Sequence, residues 1–402
     1  MPPPRDAPPG PTPPDRGGGS GYKQPFASAE RGQKKRERRP PRRRGGRFDH
    51  VFAALDLGTN NCRLLIARPD NDSFRVLDAF SRVVRLGEGV DHTNRLNDAA
   101  MSRAIEALHI CAEKMNRRGV TRARAIATEA CRRAENGLEF VARVQRETGL
   151  MLDVIGAGEE ARLAVAGCAP LFDSRRECLL VFDIGGGSTE LVWIDLSQMP
   201  RNRRRDILLG AQSKGVDEAR LELDIQTLAR NAHWTSLPVG VVTLAERFKT
   251  VTNERERFDG MRDYTKSLIA PFAATGAGAT EDRLMRMQLL GTSGTVTTLA
   301  GVHLDLPRYN RSMVDGLWMQ RLELSALIDN LLTMDHAQRS LIPCIGDDRS
   351  ELVISGASIL SAILHYWPTE KLRVADRGLR EGLLYGLMNR EDALQRAAMV
   401  GS

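Results

Sequence analysis

Two glycine-containing turns, each led by an aspartate at the end of an apolar run, constrain the fold of this 402-residue chain more than any other feature. The first occupies residues 53–61 (AALDLGTNN) and the second residues 180–190 (LVFDIGGGSTE). In both, a strand-length apolar run meets the turn and another follows it, which is the pattern of a β-hairpin. Glycine lets the backbone approach an anion closely, and successive N–H groups form a concave anion site. The repeat predicts two phosphate loops that face each other across a cleft.

The second turn carries the more specific chemistry. Three successive glycines are poor strand formers, so the close approach of a phosphate explains them well, with Ser188 and Thr189 as additional donors. Asp183 would repel a phosphate and is better suited, together with Glu190, to hold Mg²⁺ or its bound water. A tight turn capped by a buried aspartate is the simpler alternative. We favour a phosphate- and metal-binding role over this structural one, because the first turn repeats the same chemistry.

A third segment, GAGEEA at residues 156–161, matches a dinucleotide-binding pattern, with an acidic residue, Glu177, about 20 positions further on. We reject that interpretation because the adjacent carboxylates of Glu159 and Glu160 would occupy the helix N-terminus where a pyrophosphate binds. A carboxylate there is better suited to take a proton from water. Interaction with the helix dipole is the alternative explanation for Glu159.

Two further segments are candidate anion sites, and a third segment is interpreted as a structural helix cap. Arg132 or Arg133, after a predicted strand at 123–128, could clamp a phosphate bidentately. The strand–glycine–helix junction at residues 289–295 (LLGTSGT) places N–H groups at a helix N-terminus. Thr243 and Glu246 have the spacing of a helix capping box.

The formal net charge of +7 belongs to the N-terminal segment and not to the rest of the chain. Residues 1–49 hold 13 Lys or Arg and 5 Asp or Glu, a net of +8, which leaves the remainder near −1. This Pro-, Gly- and Arg-rich segment has too few apolar residues to offset its ordering entropy, so we predict that residues 1–48 are disordered. Its arginines could contact RNA, polyphosphate or another polyanion. A solvated extension without such a role is the interpretation we favour.

Cysteine spacing and hydropathy restrict the class of protein further. The six cysteines form no C-x-x-C pair and no metal-ligand spacing, which favours reduced thiols in a cytoplasmic protein. No apolar stretch approaches the roughly 18 residues that a membrane span needs. The N-terminus lacks the apolar segment of a signal peptide. We therefore expect a cytoplasmic protein without membrane contact.

The order of predicted elements indicates an α/β layer architecture with a mixed sheet. Strands are predicted at 51–57, 62–67, 74–80, 123–128, 150–155 and 287–291, with the second hairpin at 178–193. Helices are predicted at 97–116, 137–148, 159–169, 259–274, 295–301, 322–332, 351–366 and 379–389. Residues 198–234 form a polar, initially basic excursion to which the sequence assigns no role.

Together these motifs identify a resemblance to the exopolyphosphatase/guanosine pentaphosphate phosphohydrolase (Ppx/GppA) family, within the actin, sugar-kinase and heat-shock-ATPase superfamily. It spans about Phe52 to Asn389 and is similar to the short two-domain form of the family. The motifs are DLGTN at 56–60, EEARL at 159–163, DIGGGSTE at 183–190, LPVGV at 237–241, GTSGT at 291–295 and GLREG at 378–382.

The resemblance implies two ribonuclease-H-like domains around a central cleft. The first would cover residues 49–162 and be completed by a C-terminal helix at about 379–390, and the second would cover 163–378. Inorganic polyphosphate or guanosine pentaphosphate would be the substrate and Mg²⁺ the cofactor, and a homodimer is one expected assembly.

The resemblance also implies roles for individual residues. Glu160 would be the general base that activates water, and Asp183 and Glu190 would hold Mg²⁺. Arg132 would steady the phosphate chain. The predicted phosphate-binding residues are Asp56, Gly58, Thr59, Asn60, Arg132, Gly185, Gly186, Gly187, Ser188, Thr189, Gly291, Ser293, Gly294 and Thr295.

Two other functions remain open at this point. One is an ATP-using kinase or ATPase of the same superfamily, in which the base would act on a substrate hydroxyl in place of water. The other is a non-catalytic protein that binds guanosine alarmones, against which the intact acidic residues argue. The sequence does not choose between polyphosphate and guanosine pentaphosphate, since both present a terminal phosphoanhydride.

Overall fold

The computed structural model describes residues 50–70, 73–210, 230–275 and 277–400, with side chains to residue 391 except those of residues 348 and 390. The predicted disordered tail and residues 211–229 of the excursion lie outside this range. The described residues belong to one compact unit.

The first part of the chain forms a five-stranded mixed sheet in the order β3-β2-β1-β4-β5. The central strand, β1, pairs antiparallel with β2 and parallel with β4. The strands are β1 (Phe52–Leu57), β2 (Asn61–Asp70), β3 (Ser73–Val83), β4 (Arg122–Ala127) and β5 (Leu152–Val154).

A second mixed sheet repeats this arrangement with one strand added at the edge. Its order is β10-β11-β9-β6-β7-β8. Here β6 pairs antiparallel with β7 and parallel with β9, as β1 does with β2 and β4. The strands are β6 (Cys178–Ile184), β7 (Thr189–Asp195), β8 (Ala232–Leu237), β9 (Met287–Thr292), β10 (Trp318–Gln320) and β11 (Lys371–Ala375). The two-sheet, ribonuclease-H-like architecture that the motifs predicted is therefore confirmed.

Helices cover the faces of both sheets. They are α1 (Val90–Thr93), α2 (Asp98–Arg117), α3 (Glu129–Arg133), α4 (Gly137–Thr148), α5 (Ala157–Cys168), α6 (Arg204–Leu209), α7 (Val241–Arg247), α8 (Glu254–Ala273), α9 (Glu281–Arg286), α10 (Gly294–His303), α11 (Arg311–Val314), α12 (Arg321–Thr333), α13 (His336–Ser340), α14 (Leu352–Tyr366) and α15 (Leu379–Val400). Short 3-10 helices occupy Ala169–Leu171 and Asp347–Arg349.

Local sequence explains where helix α2 begins and which of its faces is buried. The Asn97 side chain accepts a hydrogen bond from the backbone N–H of Ala100 at 2.7 Å, which satisfies one of the free donors of the first turn. Met101, Ile105 and Leu108 lie on one face and are buried against the first sheet.

The capping box predicted from Thr243 and Glu246 is wrong. Helix α7 begins at Val241, and Gly240 is its N-cap, whose N–H donates to Thr243 Oγ1 at 2.9 Å. Thr243 is therefore the third helical residue. Glu246 instead accepts a bond from the N–H of Gly89 at 3.5 Å.

The last helix returns to the first sheet. Leu379, Leu383 and Leu384 of α15 are buried against residues of β1, β2 and β4. Helix α15 crosses α5 so closely that a Cβ at Gly382 would lie 2.1 Å from the carbonyl oxygen of Leu163. The predicted domain boundary at residue 162 falls within α5, and the proposed division into domains stays a prediction.

All six cysteines lie in the described part of the chain, and they are buried and free of disulfides. The described helices include none whose length and apolarity suit a membrane crossing.

Candidate active site

A cavity of about 620 Å³ lies where β1, β6, β9 and β11 end. Both aspartate–glycine turns, the α10 junction and the start of α15 line it. The predicted residues on its wall are Asp56, Gly58, Thr59, Asn60, Glu160, Asp183, Gly185, Gly186, Gly187, Ser188, Glu190, Ser293, Gly294 and Thr295.

The two turns have the same geometry and lie against each other. In each, the N–H of the first glycine donates 2.9 Å to the carbonyl three residues on: Gly58 to Asn61, and Gly185 to Ser188. A Cβ at Gly186 would lie 3.1 Å from Cβ of both Thr59 and Asn60. Phosphate groups bound here would therefore contact both halves of the molecule.

Helix α7 holds the second turn from behind. The N–H groups of Val241 and Val242 donate to the carbonyls of Gly185 and Gly186, each at 2.9 Å. No acceptor among the described residues takes the N–H of Gly186 or of Gly187. None of the three glycines has a positive φ, so close approach and not backbone conformation requires glycine here.

The two strand aspartates have opposite partners. Asp183 lies directly across from Glu190 in the β6–β7 register, whereas Asp56 lies across from Arg63 in the β1–β2 register. Residues directly opposite in an antiparallel pair point to the same face of the sheet. Thus one hairpin presents two carboxylates and the other a carboxylate and a guanidinium.

Burial raises the pKa of these carboxyl groups. It raises the pKa of Asp183 to about 6, with the charge of Asp56 adding to the effect and that of Arg63 opposing it. It raises the pKa of Glu190 to about 7, with the charge of Asp183 adding to the effect. Ser236 Oγ donates to Glu190 Oε1 at 2.8 Å. The pair therefore places two acidic groups close together in a buried position, where hydrogen bonds to Glu190 and the charges of nearby arginines offset their charge only in part.

Glu160 and Arg132 form an ion pair at the cavity edge. Arg132 Nη1 lies 3.2 Å from Glu160 Oε2 and 2.8 Å from the carbonyl oxygen of Ile155, and Arg132 also binds Glu129. Burial, and then the charge of Glu190, raise the pKa of Glu160 to about 9, while Arg132 opposes the shift. The neighbouring Glu159 instead binds Arg124 Nη1 at 2.7 Å and does not line the cavity.

Ser293 has the most strained backbone of the site. Its φ of 101° and ψ of 171° lie in a region that non-glycine residues rarely adopt. Its Oγ is buried and finds no hydrogen-bond partner in the described part of the chain, and the same holds for Oδ1 of Asn60. Both polar atoms belong to residues on the cavity wall, where a ligand could satisfy them.

Three predicted phosphate-binding residues do not line the cavity. Arg132 is held by carboxylates, as described above. Thr189 is fully buried, and its hydroxyl donates to the carbonyl of Val239 at 2.6 Å. Gly291 packs under Phe182, whose ring would lie 2.4 Å from a Cβ at that position.

The cavity also contains basic and aromatic residues that the sequence patterns did not single out. Arg63 and Arg380 line it, and their charges oppose the rise that burial causes in the pKa of both Asp56 and Asp183. Tyr309 Oη donates to Asp376 Oδ2 at 2.6 Å. Arg380 lies within the GLREG motif, so the sequence could have indicated it as a site residue. Arg63 could be found only from the strand register.

Two sheets of matching strand order, with aspartate-led glycine turns facing a cavity rich in carboxylates and arginines, define a phosphate-handling protein of the ribonuclease-H-like class. The model of the Ppx/GppA phosphatase family matches residues 65–211 and 218–391. The chain belongs to this family.

Individual relatives agree with this assignment. A curated Haemophilus influenzae protein, provisionally named an exopolyphosphatase, is 28% identical over 338 residues, which are 84% of this chain and 91% of that protein. The crystal structure of the Aquifex aeolicus Ppx/GppA family member is similar with a TM-score of 0.65 and 26% identity, covering 85% of this chain and 98% of that one. An exopolyphosphatase from Cytophaga hutchinsonii shares the fold, with a TM-score of 0.69 and 21% identity over 85% of this chain and 98% of its own.

Proposed function

We propose that this protein is a Mg²⁺-dependent phosphohydrolase that releases the terminal phosphate of inorganic polyphosphate, guanosine pentaphosphate or both. The observation that carries the proposal is the Asp183–Glu190 pair, two carboxylates opposite each other in register beneath two facing phosphate turns. The name of the curated relative supports polyphosphate as a substrate, and the motif resemblance adds guanosine pentaphosphate.

The donor set fits a magnesium ion. Like charges directly opposite in a sheet are destabilising, and burial increases the cost. Mg²⁺ is usually held by one or two carboxylates together with waters and substrate phosphates. Asp183 and Glu190 would supply the carboxylates, and among the described residues no group of three or more His, Cys, Asp or Glu is placed to hold an ion without substrate. When bound, the ion would neutralise charge on the transferred phosphate.

The remaining steps depend on the residues of the chain. The N–H groups of Gly186 and Gly187 and the hydroxyl of Ser293 bind and orient the phosphates. Glu160 accepts a proton from a water molecule whose oxygen attacks the terminal phosphorus, while the bond to the bridging oxygen breaks. Glu160 needs its proton-free form for this step. Neutralising the charge of Glu190 lowers the pKa of Glu160, because that charge is one cause of its elevation.

The test is phosphate release from long polyphosphate and from guanosine pentaphosphate, measured side by side with Mg²⁺ and with a chelator. Glu160→Gln is compared with Glu159→Gln, which changes the adjacent carboxylate that pairs with Arg124. We expect release only with Mg²⁺ and only in the protein that retains Glu160. Release that survives chelation contradicts the metal role. Phosphate transfer from ATP to an added hydroxyl compound, without release from either substrate, would favour a kinase.

A further inference from the structure

A second cavity, of about 310 Å³, shares no lining residue with the candidate active site. It opens beside the first half of β11, where Lys371 and Arg373 lie, whereas the candidate active site begins beyond the end of that strand at Asp376. Three residues of extended chain span about 10 Å, so one phosphate group does not reach both sites.

Basic side chains dominate this cavity. Its charged residues are Asp173, Arg175, Arg176, Arg205, Lys371 and Arg373. Arg175 binds Asp173 through three side-chain hydrogen bonds, Nε to Oδ1 at 2.9 Å, Nε to Oδ2 at 3.0 Å and Nη2 to Oδ2 at 2.7 Å. The formal charges of these side chains therefore leave a surplus of four positive charges. A second carboxylate near Arg373, that of Asp315, is bound by Arg377 at 2.6 Å.

Packing against Trp318 holds two of these cations in place. The β10–β11 register sets Trp318 directly across from Arg373, on the same face of the sheet. Lys371 Nζ and Arg373 Cζ lie 4.7 and 4.8 Å from the centre of the Trp318 ring. Such contacts orient a cation without neutralising it.

Arg373 also has a donor that the fold leaves unused. Its Nε is buried and has no hydrogen-bond partner among the described residues. Burial lowers the pKa of Arg373, while the charges of Asp315 and Asp173 oppose this shift. An unpaired buried donor on a charged group is costly, and a bound anion would remove that cost.

We propose that this cavity is a second anion site, which binds the phosphate groups of an oligophosphate. Guanidinium groups bind phosphate oxygens bidentately, and the volume suits a small ligand. Arg205 on its wall belongs to the basic start of the 198–234 excursion. The phosphates can come from inorganic polyphosphate or from a nucleotide.

Tripolyphosphate binding in EDTA, followed by tryptophan fluorescence at low salt, tests the site without any turnover. The Lys371→Gln/Arg373→Gln variant is compared with Arg117→Gln/Lys249→Gln, which removes the same charge from exposed positions outside both cavities. We expect the Kd to rise at least about tenfold in the first variant and to change less than twofold in the second. Trp318→Phe should abolish the fluorescence response. Equal Kd values in the two double variants, or a full response in Trp318→Phe, would overturn the proposal.

A thermal melt checks that the variants fold, and Lys371→Gln alone keeps the test valid if loss of Arg373 unfolds the protein. Competition then identifies the source of the phosphates: displacement of tripolyphosphate by long polyphosphate alone indicates a chain-anchoring site, and displacement by GTP indicates a nucleotide site. Displacement by neither overturns the proposal. Since only binding is measured, failure of the proposed hydrolysis leaves this result interpretable.

Discussion

The two hairpins share strand order and turn geometry and differ in what stands opposite the strand aspartate. Arg63 faces Asp56 in the first, and Glu190 faces Asp183 in the second. The first aspartate thus has a cation as its register partner, whereas the second has another buried carboxyl group, although the charges of Arg63 and Arg380 act on both aspartates. Two hairpins of the same fold thus differ by one residue type opposite the strand aspartate, and on the proposed function this difference makes the second hairpin the one that would hold the metal ion.

The largest expected effect on activity comes from replacing Glu160, the proposed general base. Glu160→Gln should lower kcat by about 10²–10⁴, because the amide cannot accept the proton from water. Substrate binding should remain, since the turns are unchanged. Steady-state kinetics and equilibrium binding measure the two quantities. A variant that keeps more than about a tenth of the wild-type kcat contradicts the assignment.

The variants Asp183→Asn and Asp56→Asn test whether the two hairpins have different roles. A neutral amide is a poor ligand for a hard dication, so Asp183→Asn should lose about a hundredfold in activity at low Mg²⁺ and regain part of it at high Mg²⁺. Asp56→Asn should lose less and show an unchanged Mg²⁺ dependence. Mg²⁺ titrations of activity for both variants decide the matter. The same change in Mg²⁺ dependence in both variants would contradict the proposal that only the second hairpin holds the metal ion.

Gly186→Val tests the close approach of the two turns. The added side chain would press on Thr59 and Asn60 and fill the space that a phosphate needs, so we expect KM to rise about tenfold or more. Gly58→Ala is a useful contrast, because a Cβ there would meet only Asn61 of its own turn, at 3.6 Å. A lower Tm with unchanged KM in Gly186→Val would assign the glycine to folding alone.

The smallest effect is on stability. The pKa values of Glu160, Glu190 and Asp183 are about 9, 7 and 6, all above their unfolded values, so between about pH 4 and 9 the folded state binds more protons than the unfolded state. The free energy of unfolding of the metal-free protein should therefore fall by about 1–3 kcal/mol as the pH rises from 5 to 8. Glu190→Gln should reduce this fall. Urea denaturation in EDTA at several pH values measures it, and stability that is flat or rising with pH would count against the buried pair.

Particular elements show why parts of the fold were predictable. The helix predicted at 137–148 matches α4, where apolar spacing and a glycine in the left-handed region at Gly149 mark the face and the end. In contrast, β10 and β11 were not predicted. They are only three and five residues long, and two of their positions, Lys371 and Arg373, carry charge. Their pairing in the sheet, and not a local pattern, makes them strands.

The sequence by itself determined the two hairpins, the glycine turns and the acidic residues near them, because alternation, turn chemistry and charge are local properties. Only the tertiary structure decided which of these groups meet. It brought Gly186 against Thr59 and Asn60, turned Arg132 onto Glu160, and set Arg63 across from Asp56. The first two contacts join residues distant in the chain and depend on how the elements pack, and the third, within one hairpin, depends on the strand register.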